Sequence, residues 1–309
     1  TMPMTMLTSA LSLLLQPSWN PVETLRLLLE YHFMQNAFLA GTFIALLAGP
    51  VGYFMVLRGQ SFLGHALSHV GFAGAAAAVW LGISPVVGLL AFGALAALGI
   101  GALGERGGKL SVESDIAIGT VLVFSLSLGL LFIRLASSYA ANIYAFLFGT
   151  VLGISDDDVL LIAAMALLGL LVLAAIARPL LFVSVDPEVA AARGLPVRPL
   201  AYAFLLLLAL SVAVAVQVIG VLLIFALLVT PAATAQQLTT RPAPAIALST
   251  ALALIVIWLG LAIAYFTDYP VGFVVTTIAF VFYLIARAHR ERQSNAWRAA
   301  PSAQVGGVR

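Results

Sequence analysis

The chain has no cysteine among its 309 residues, and only 8% of them are charged. The first absence removes disulfides, thiolate metal sites and thiol chemistry together. The second rules out an ordinary water-facing surface, since soluble domains carry about 25% charged and about 45–50% apolar residues. Here 63% are hydrophobic. Length alone would suggest two soluble domains, but this composition implies one membrane domain. The net charge is only +2, with the basic residues in short connections and toward the C-terminus, so no nucleic-acid-binding stripe forms. The first 25 residues hold no Lys or Arg, and the basic start of a secretory signal is not read there.

Two further absences narrow the chemistry. All twelve Asp and Glu lie in connections, at the ends of apolar runs or near the termini. Gradient-driven carriers typically relay ions through intramembrane carboxylates, so that class is disfavoured. A phosphate cradle is also missing. Gly107-Gly108-Lys109 is followed by Leu110, and Leu103 stands where the first glycine of the motif belongs. If ATP powers this chain, another subunit hydrolyses it.

What the sequence has is apolar runs. A spanning helix needs about 20 mostly apolar residues, and nine segments qualify: 36–57, 61–81, 85–103, 116–133, 159–177, 200–219, 221–238, 245–266 and 271–286. The expected fold is an all-α polytopic transmembrane helix bundle of about nine spans, with eight to ten open. Residues 200–238 read either as two tightly joined spans or as one span and a re-entrant piece. Residues 137–153 read as a partial helix. Three parts are expected: an N-terminal segment 1–33 whose residues 22–33 form an interfacial helix, a membrane domain 34–289, and a basic, disordered cytoplasmic tail 290–309. With nine spans, Arg58, Arg106, Lys109, Arg178, Arg193, Arg198, Arg241 and the tail arginines share one side. Asp156, Asp157, Asp158 and Asp268 take the other. Basic loops are cytoplasmic, so the tail is placed inside and the N-terminus outside. Arg134 is the exception.

Intramembrane ionisable residues are functional candidates by default. One pair qualifies: His65 and His69 in Gly64-His65-Ala66-Leu67-Ser68-His69. Residues at i and i+4 share a helix face with Cβ atoms about 5–6 Å apart, the spacing by which two imidazoles reach one metal ion. Tight zinc binding takes about four ligands; a conduit must also release its ion. A symmetric dimer with this helix at its axis would bring four imidazoles together. The alternative is two core histidines bonded to backbone or to Ser68. His32 and His289 read as interfacial and solvated residues.

The stretch 186–196 is a helix with punctuation: Asp186, then Pro187 and Glu188 in the first turn, Ala191, Arg193, and Gly194 just past the end. A defined helix in a cytoplasmic connection offers a docking surface. Thr230 and Pro231 interrupt the 221–238 run, as a kink or as part of a pathway, and Pro50 does the same in the first run. Glu113 and Asp115 either line a cytoplasmic exit or simply favour a helix start.

These stretches resemble the permease subunits of bacterial zinc and manganese ABC importers, over roughly residues 34–289. The match rests on 58–75, on Glu113-Ser114-Asp115-Ile116-Ala117-Ile118-Gly119, on 186–196, and on Ile219-Gly220-Val221-Leu222-Leu223 through Leu228-Val229-Thr230-Pro231-Ala232-Ala233-Thr234-Ala235. The resemblance implies a fold like the cobalamin- and siderophore-type (type II) permeases. It implies a homodimer in the inner membrane, a cytoplasmic ATP-binding dimer docked on the 186–196 helix, and an extracytoplasmic metal-binding protein delivering the ion. No cofactor is expected to stay bound. Where the family typically reads G-D-A-L-S-H, this chain has His65 in place of the aspartate, while His69 matches the family histidine. Imidazole suits zinc and carboxylate suits manganese, so zinc is the expected cargo ahead of manganese. The rival expectations are a permease for a metal chelate, such as a siderophore or cobalamin, and a secondary metal carrier.

Overall fold

The computed structural model describes residues 30–106, 109–110, 112–136, 153–221, 224–267 and 269–299. In chain order they form α1 (His32–Leu57), α2 (Ser61–Trp80), α3 (Pro85–Gly104), β1 (Glu105–Arg106), β2 (Lys109–Leu110), α4 (Val112–Leu135), α5 (Asp156–Val185), α6 (Pro187–Ala192), α7 (Val197–Ile219), α8 (Ile224–Leu228), α9 (Thr230–Leu238), α10 (Pro242–Thr267) and α11 (Val271–Ala299). The two strands pair antiparallel over two residues each. Everything else regular is helix.

Among the described residues, eight helices are long and apolar enough to cross a membrane. Their charged residues lie toward the helix ends, and large apolar side chains point outward: Leu160 is 70% exposed and Leu95 67%. Such a surface is stable against lipid, where each helix satisfies its own backbone polar groups. Inside, α1, α2 and α7 are enclosed by the rest. Several buried hydroxyls are satisfied within their own helix, as when Ser211 donates to Leu207 O at 2.8 Å and Thr234 to Thr230 O at 2.7 Å.

The seventh expected span, 221–238, is broken. Gly220 (φ 81°) ends α7. The helical stretch Ile224–Leu238 is too short to qualify as a span, and it divides at Val229 into α8 and α9. Pro231, read in the sequence as interior to a span, instead sits in the first turn of α9, where its missing N–H costs nothing. The stretch still returns the chain to the end at which α7 began. Gln236 Nε2 donates to Tyr53 O at 3.0 Å, and Arg290 Nη1 donates to Gln237 Oε1 at 2.6 Å, so α9 finishes beside the C-terminal halves of α1 and α11. At the opposite end, Asn36 Nδ2 donates to Ile154 O (3.0 Å) and to Asp156 Oδ1 (2.8 Å), fastening α1 to the start of α5.

Two boundaries depart from the sequence reading, and one expected element goes untested. His32 opens α1 rather than closing an interfacial helix; residues 22–29 of that expected helix lie outside the described residues. The partial helix expected over 137–153 lies outside them too, up to residue 152. The tail expected to be disordered from 290 begins as helix, because α11 runs on to Ala299 and Arg287 Nε pairs with Glu291 one turn later at 3.0 Å. Residues 300–309 are outside the described range.

Small residues set the spacing of the helices. At Gly74 and Gly88 the backbones of α2 and α3 touch: a Cβ on either would overlap the other's carbonyl. Gly52 likewise admits the Leu228 carbonyl between α1 and α8. Ser249 Oγ donates to Gly49 O at 2.9 Å beside Pro50, giving the α1–α10 contact a polar tie at the proline. Such close approach is how helices associate in lipid, where no hydrophobic force draws them together.

α6 is short but well defined. Asp186 ends α5 and caps α6, accepting from Glu188 N (3.1 Å) and Val189 N (3.0 Å). Pro187 stands at its start, Gly194 (φ 79°) follows its end, and Ala190 is buried with Val183 and Leu200.

Two outcomes test this packing. Gly88→Val should cost about 3 kcal/mol of stability by forcing the α2–α3 crossing apart, read as a lower unfolding midpoint in detergent. Gly99→Ala, with nothing within 4 Å of the added methyl, should be neutral or stabilising in the same assay. Asp186→Ala should cost α6 about 1 kcal/mol of cap stabilisation, read as faster amide hydrogen exchange over 188–192.

Candidate functional site

A tight turn sets up α2. Gly59 adopts φ 69°, and Gln60 N donates back to Met55 O at 2.9 Å, so the chain reverses within three residues of α1. α2 then buries almost its whole circumference, chiefly against α3 and α4, with small residues from Gly71 to Ala78 all buried. The open part of its first half is narrow. Phe62 is exposed, and His65 and His69 are half-buried on the same face, one and two turns further along.

The two imidazoles lie against each other. Their centroids are 4.7 Å apart and their planes meet at 86°. The hydroxyl of Ser68 does not engage them: it donates to the His65 backbone carbonyl at 2.7 Å. Among the described residues, no side chain hydrogen-bonds either ring. The expected i, i+4 apposition is therefore present, and the described residues leave the ring nitrogens open. Phe225 of α8 closes one side, edge-on to His65 at 5.7 Å between centroids. It is 40% exposed, so the broken stretch after Gly220 presents an aromatic wall beside the pair. Phe225 was not singled out from the sequence. Nothing in one chain marks a phenylalanine in an apolar run as facing a histidine on another helix.

The remaining sequence candidates fall elsewhere. Among the described residues, no group of three or more His, Asp, Glu or Cys gathers in one place, and those residues bring two imidazoles together at this point. Asp115 is exposed in the first turn of α4 and does not join them; the side chain of Glu113 lies outside the described residues. Thr230 is half-buried and Pro231 buried at the start of α9. They belong to the same broken stretch as Phe225, which is the residue of that stretch that meets His65.

The 186–196 stretch forms a separate surface. Around α6, Glu188, Ala191, Arg193 and Gly194 are exposed, Asp186 is half-buried at the cap, and Pro187 is buried as part of its seat. The Arg193 guanidinium lies 5.5 Å from the Phe182 ring centre, tying the end of α6 to α5. The helix is thus anchored on one side and bare on the other.

Comparison with known proteins places this architecture. Residues 30–290 match the model of the ABC 3 transport family. The manganese import system permease protein ScaB of Streptococcus parasanguinis is 36% identical over 257 residues, covering 83% of this chain and 90% of that protein. The manganese transport system membrane protein MntC of Listeria innocua is 34% identical over 259 residues, covering 84% and 91%. Among solved structures, PsaBC from Streptococcus pneumoniae, in complex with Fab, superposes with a TM-score of 0.76 at 34% identity, covering 86% of this chain and 94% of that one. A metal-chelate type ABC transporter in an inward-facing conformation shares the fold, with a TM-score of 0.57 at 15% identity, covering 91% and 95%. Family, fold and apolar helices agree: the chain belongs to the ABC 3 transport family, as a permease of the metal ABC transporter type and a multi-pass protein of the inner membrane.

Proposed function

We propose that this permease imports a divalent transition-metal ion by alternating access, and that zinc is the ion. The reading is carried by one observation: two imidazoles in contact, with no hydrogen-bond partner among the described residues, on the open face of the first half of α2. Two ligands bind weakly, which suits an ion that must also leave. Docking of α2 against its copy in a homodimer brings four imidazoles to a common axis, a donor set that satisfies zinc. Imidazole pairs favour zinc over manganese, which prefers carboxylate and carbonyl oxygen.

Manganese is the second reading, favoured by the names of the relatives ScaB and MntC. The family motif normally supplies an aspartate where this chain has His65, and that exchange is the ground for separating the cargo from theirs. The chelate reading has only a fold likeness at 15% identity behind it.

An ATP-binding subunit dimer docks on the bare side of α6, through Glu188, Ala191 and Arg193, with Asp186, Pro187 and Gly194 holding the helix in place. An extracytoplasmic metal-binding protein delivers the ion at the end that carries Asp156 and Asp157. Thr230 and Pro231 line the inner path beyond Phe225, and Glu113 and Asp115 stand near the exit.

The test is metal-dependent ATP hydrolysis and uptake in liposomes, with the permease, its ATP-binding subunit and its binding protein loaded with zinc or manganese. Zinc should stimulate, and replacing both His65 and His69 by Ala should bring stimulation and uptake to background while assembly survives. Wild-type uptake in that double variant would retire the site. A clear manganese preference would sink the zinc assignment. His65→Asp should move the preference toward manganese.

A further inference from the structure

We propose that Arg58 is a positioning residue that links the state of α6 to the helix carrying His65 and His69. The inference rests on the reading above that α6 receives the ATP-binding subunit.

Arg58 closes α1, at the turn into α2. Its Nη1 donates to Ser184 Oγ at 3.4 Å, and its guanidinium carbon lies 5.5 Å from the centre of the Phe204 ring on α7. The Ser184 hydroxyl spends its own proton on Leu180 O at 2.6 Å, leaving its lone pairs to the arginine. Two residues after Ser184, Asp186 caps α6. On the other side of the arginine, Gly59 and Gln60 lead straight into α2, and Gly64 N bonds back to Gln60 O at 3.3 Å, one residue before His65. A single half-buried guanidinium therefore touches α5 and α7 next to the docking helix and belongs to the turn that sets the first part of α2.

Two features suit a movable joint rather than a static brace. The bond to Ser184 is long, so little is lost when it opens. Gln60 is buried, and its Oε1 has no partner among the described residues. An orphaned buried acceptor disfavours the present arrangement relative to any position of the turn that finds it a donor. A rearrangement at the docking end that shifts α5 would pull Arg58, and the turn would carry α2 with it. Arginine is suited to the joint because its planar group can stack on Phe204 and hydrogen-bond at once, which lysine does not reproduce.

The test uses the complete complex in liposomes with zinc-loaded binding protein. Arg58→Gln should lower metal-stimulated ATP hydrolysis by about tenfold, while basal hydrolysis and zinc binding by the permease stay within about twofold of wild type, the range expected for a coupling residue outside both sites. Ser184→Ala should lower stimulation less, and the double variant should fall no further than Arg58→Gln, since both act through one contact. Arg58→Lys should recover only part of the loss. If Arg58→Gln fails to assemble, the milder Ser184→Ala variant decides the matter by the same readouts. Normal stimulation in Arg58→Gln, a parallel fall of basal and stimulated rates, or multiplying effects in the double variant would each overturn the proposal. A wild-type complex that zinc and manganese both fail to stimulate would instead overturn the reading of α6 and of the metal, and the inference with it.

Discussion

Backbone carbonyls pressed against neighbouring helices hold this molecule together. In lipid there is no gain from hiding one apolar side chain behind another, so helices associate through packing and close approach. Gly74 meets Gly88, Gly52 meets Leu228 and Gly49 meets Thr250 at separations that leave no room for a Cβ. These crossings press α2 against α3 and fix α1 against α8 and α10, while Gly129 of α4 packs on Phe72 and Ala73 of α2. The same crowding explains why α2 has so little open surface, and why that surface is where His65 and His69 project.

Breaks in regular helix occur where the packing can absorb them. Pro50 is accompanied by the Ser249 bond to Gly49 O, and the described residues of the interruption between Gly220 and Thr230 are mostly buried in protein. Non-helical backbone at membrane depth is tolerated under that condition. The interruption also has a consequence for the site: it turns what would be a continuous helix into two short ones and sets Phe225 against His65. The end of the bundle that carries α6 is built differently. There Asp186, Arg193 and Arg58 use capping, stacking on aromatic rings and side-chain hydrogen bonds to tie short elements to long ones.

Much of this was legible in the residues. Hydropathy alone locates the eight long helices, because a run that must satisfy its backbone in lipid has one workable conformation. Pro187, Glu188 and Gly194 announce α6, since each has a strong positional preference at helix ends. The i, i+4 spacing of His65 and His69 brings their rings together whatever surrounds them. The misses have physical causes too. The 221–238 run is apolar enough to span, so the sequence left open a second span or a re-entrant piece, and the structure divides it into two short helices. The helix continuing to Ala299 is polar and amphipathic, and hydropathy has no signal for it. His32 stays exposed, as an interfacial residue would, but it opens α1 beside Asp156 rather than ending a separate helix.

Local chemistry thus determined, from the sequence alone, the membrane class, the helical segments, the capped helix at 187–192 and the apposition of two imidazoles. These follow from backbone hydrogen bonding and helical periodicity, which act between residues close in the chain. Only the tertiary structure decided which face of α2 stays open, that Phe225 stands beside His65, and that Arg58 reaches Ser184 across 126 residues of sequence. Those depend on how closely distant backbones approach, and that distance is set by pairs of small residues on different helices, whose partners no single stretch of sequence names.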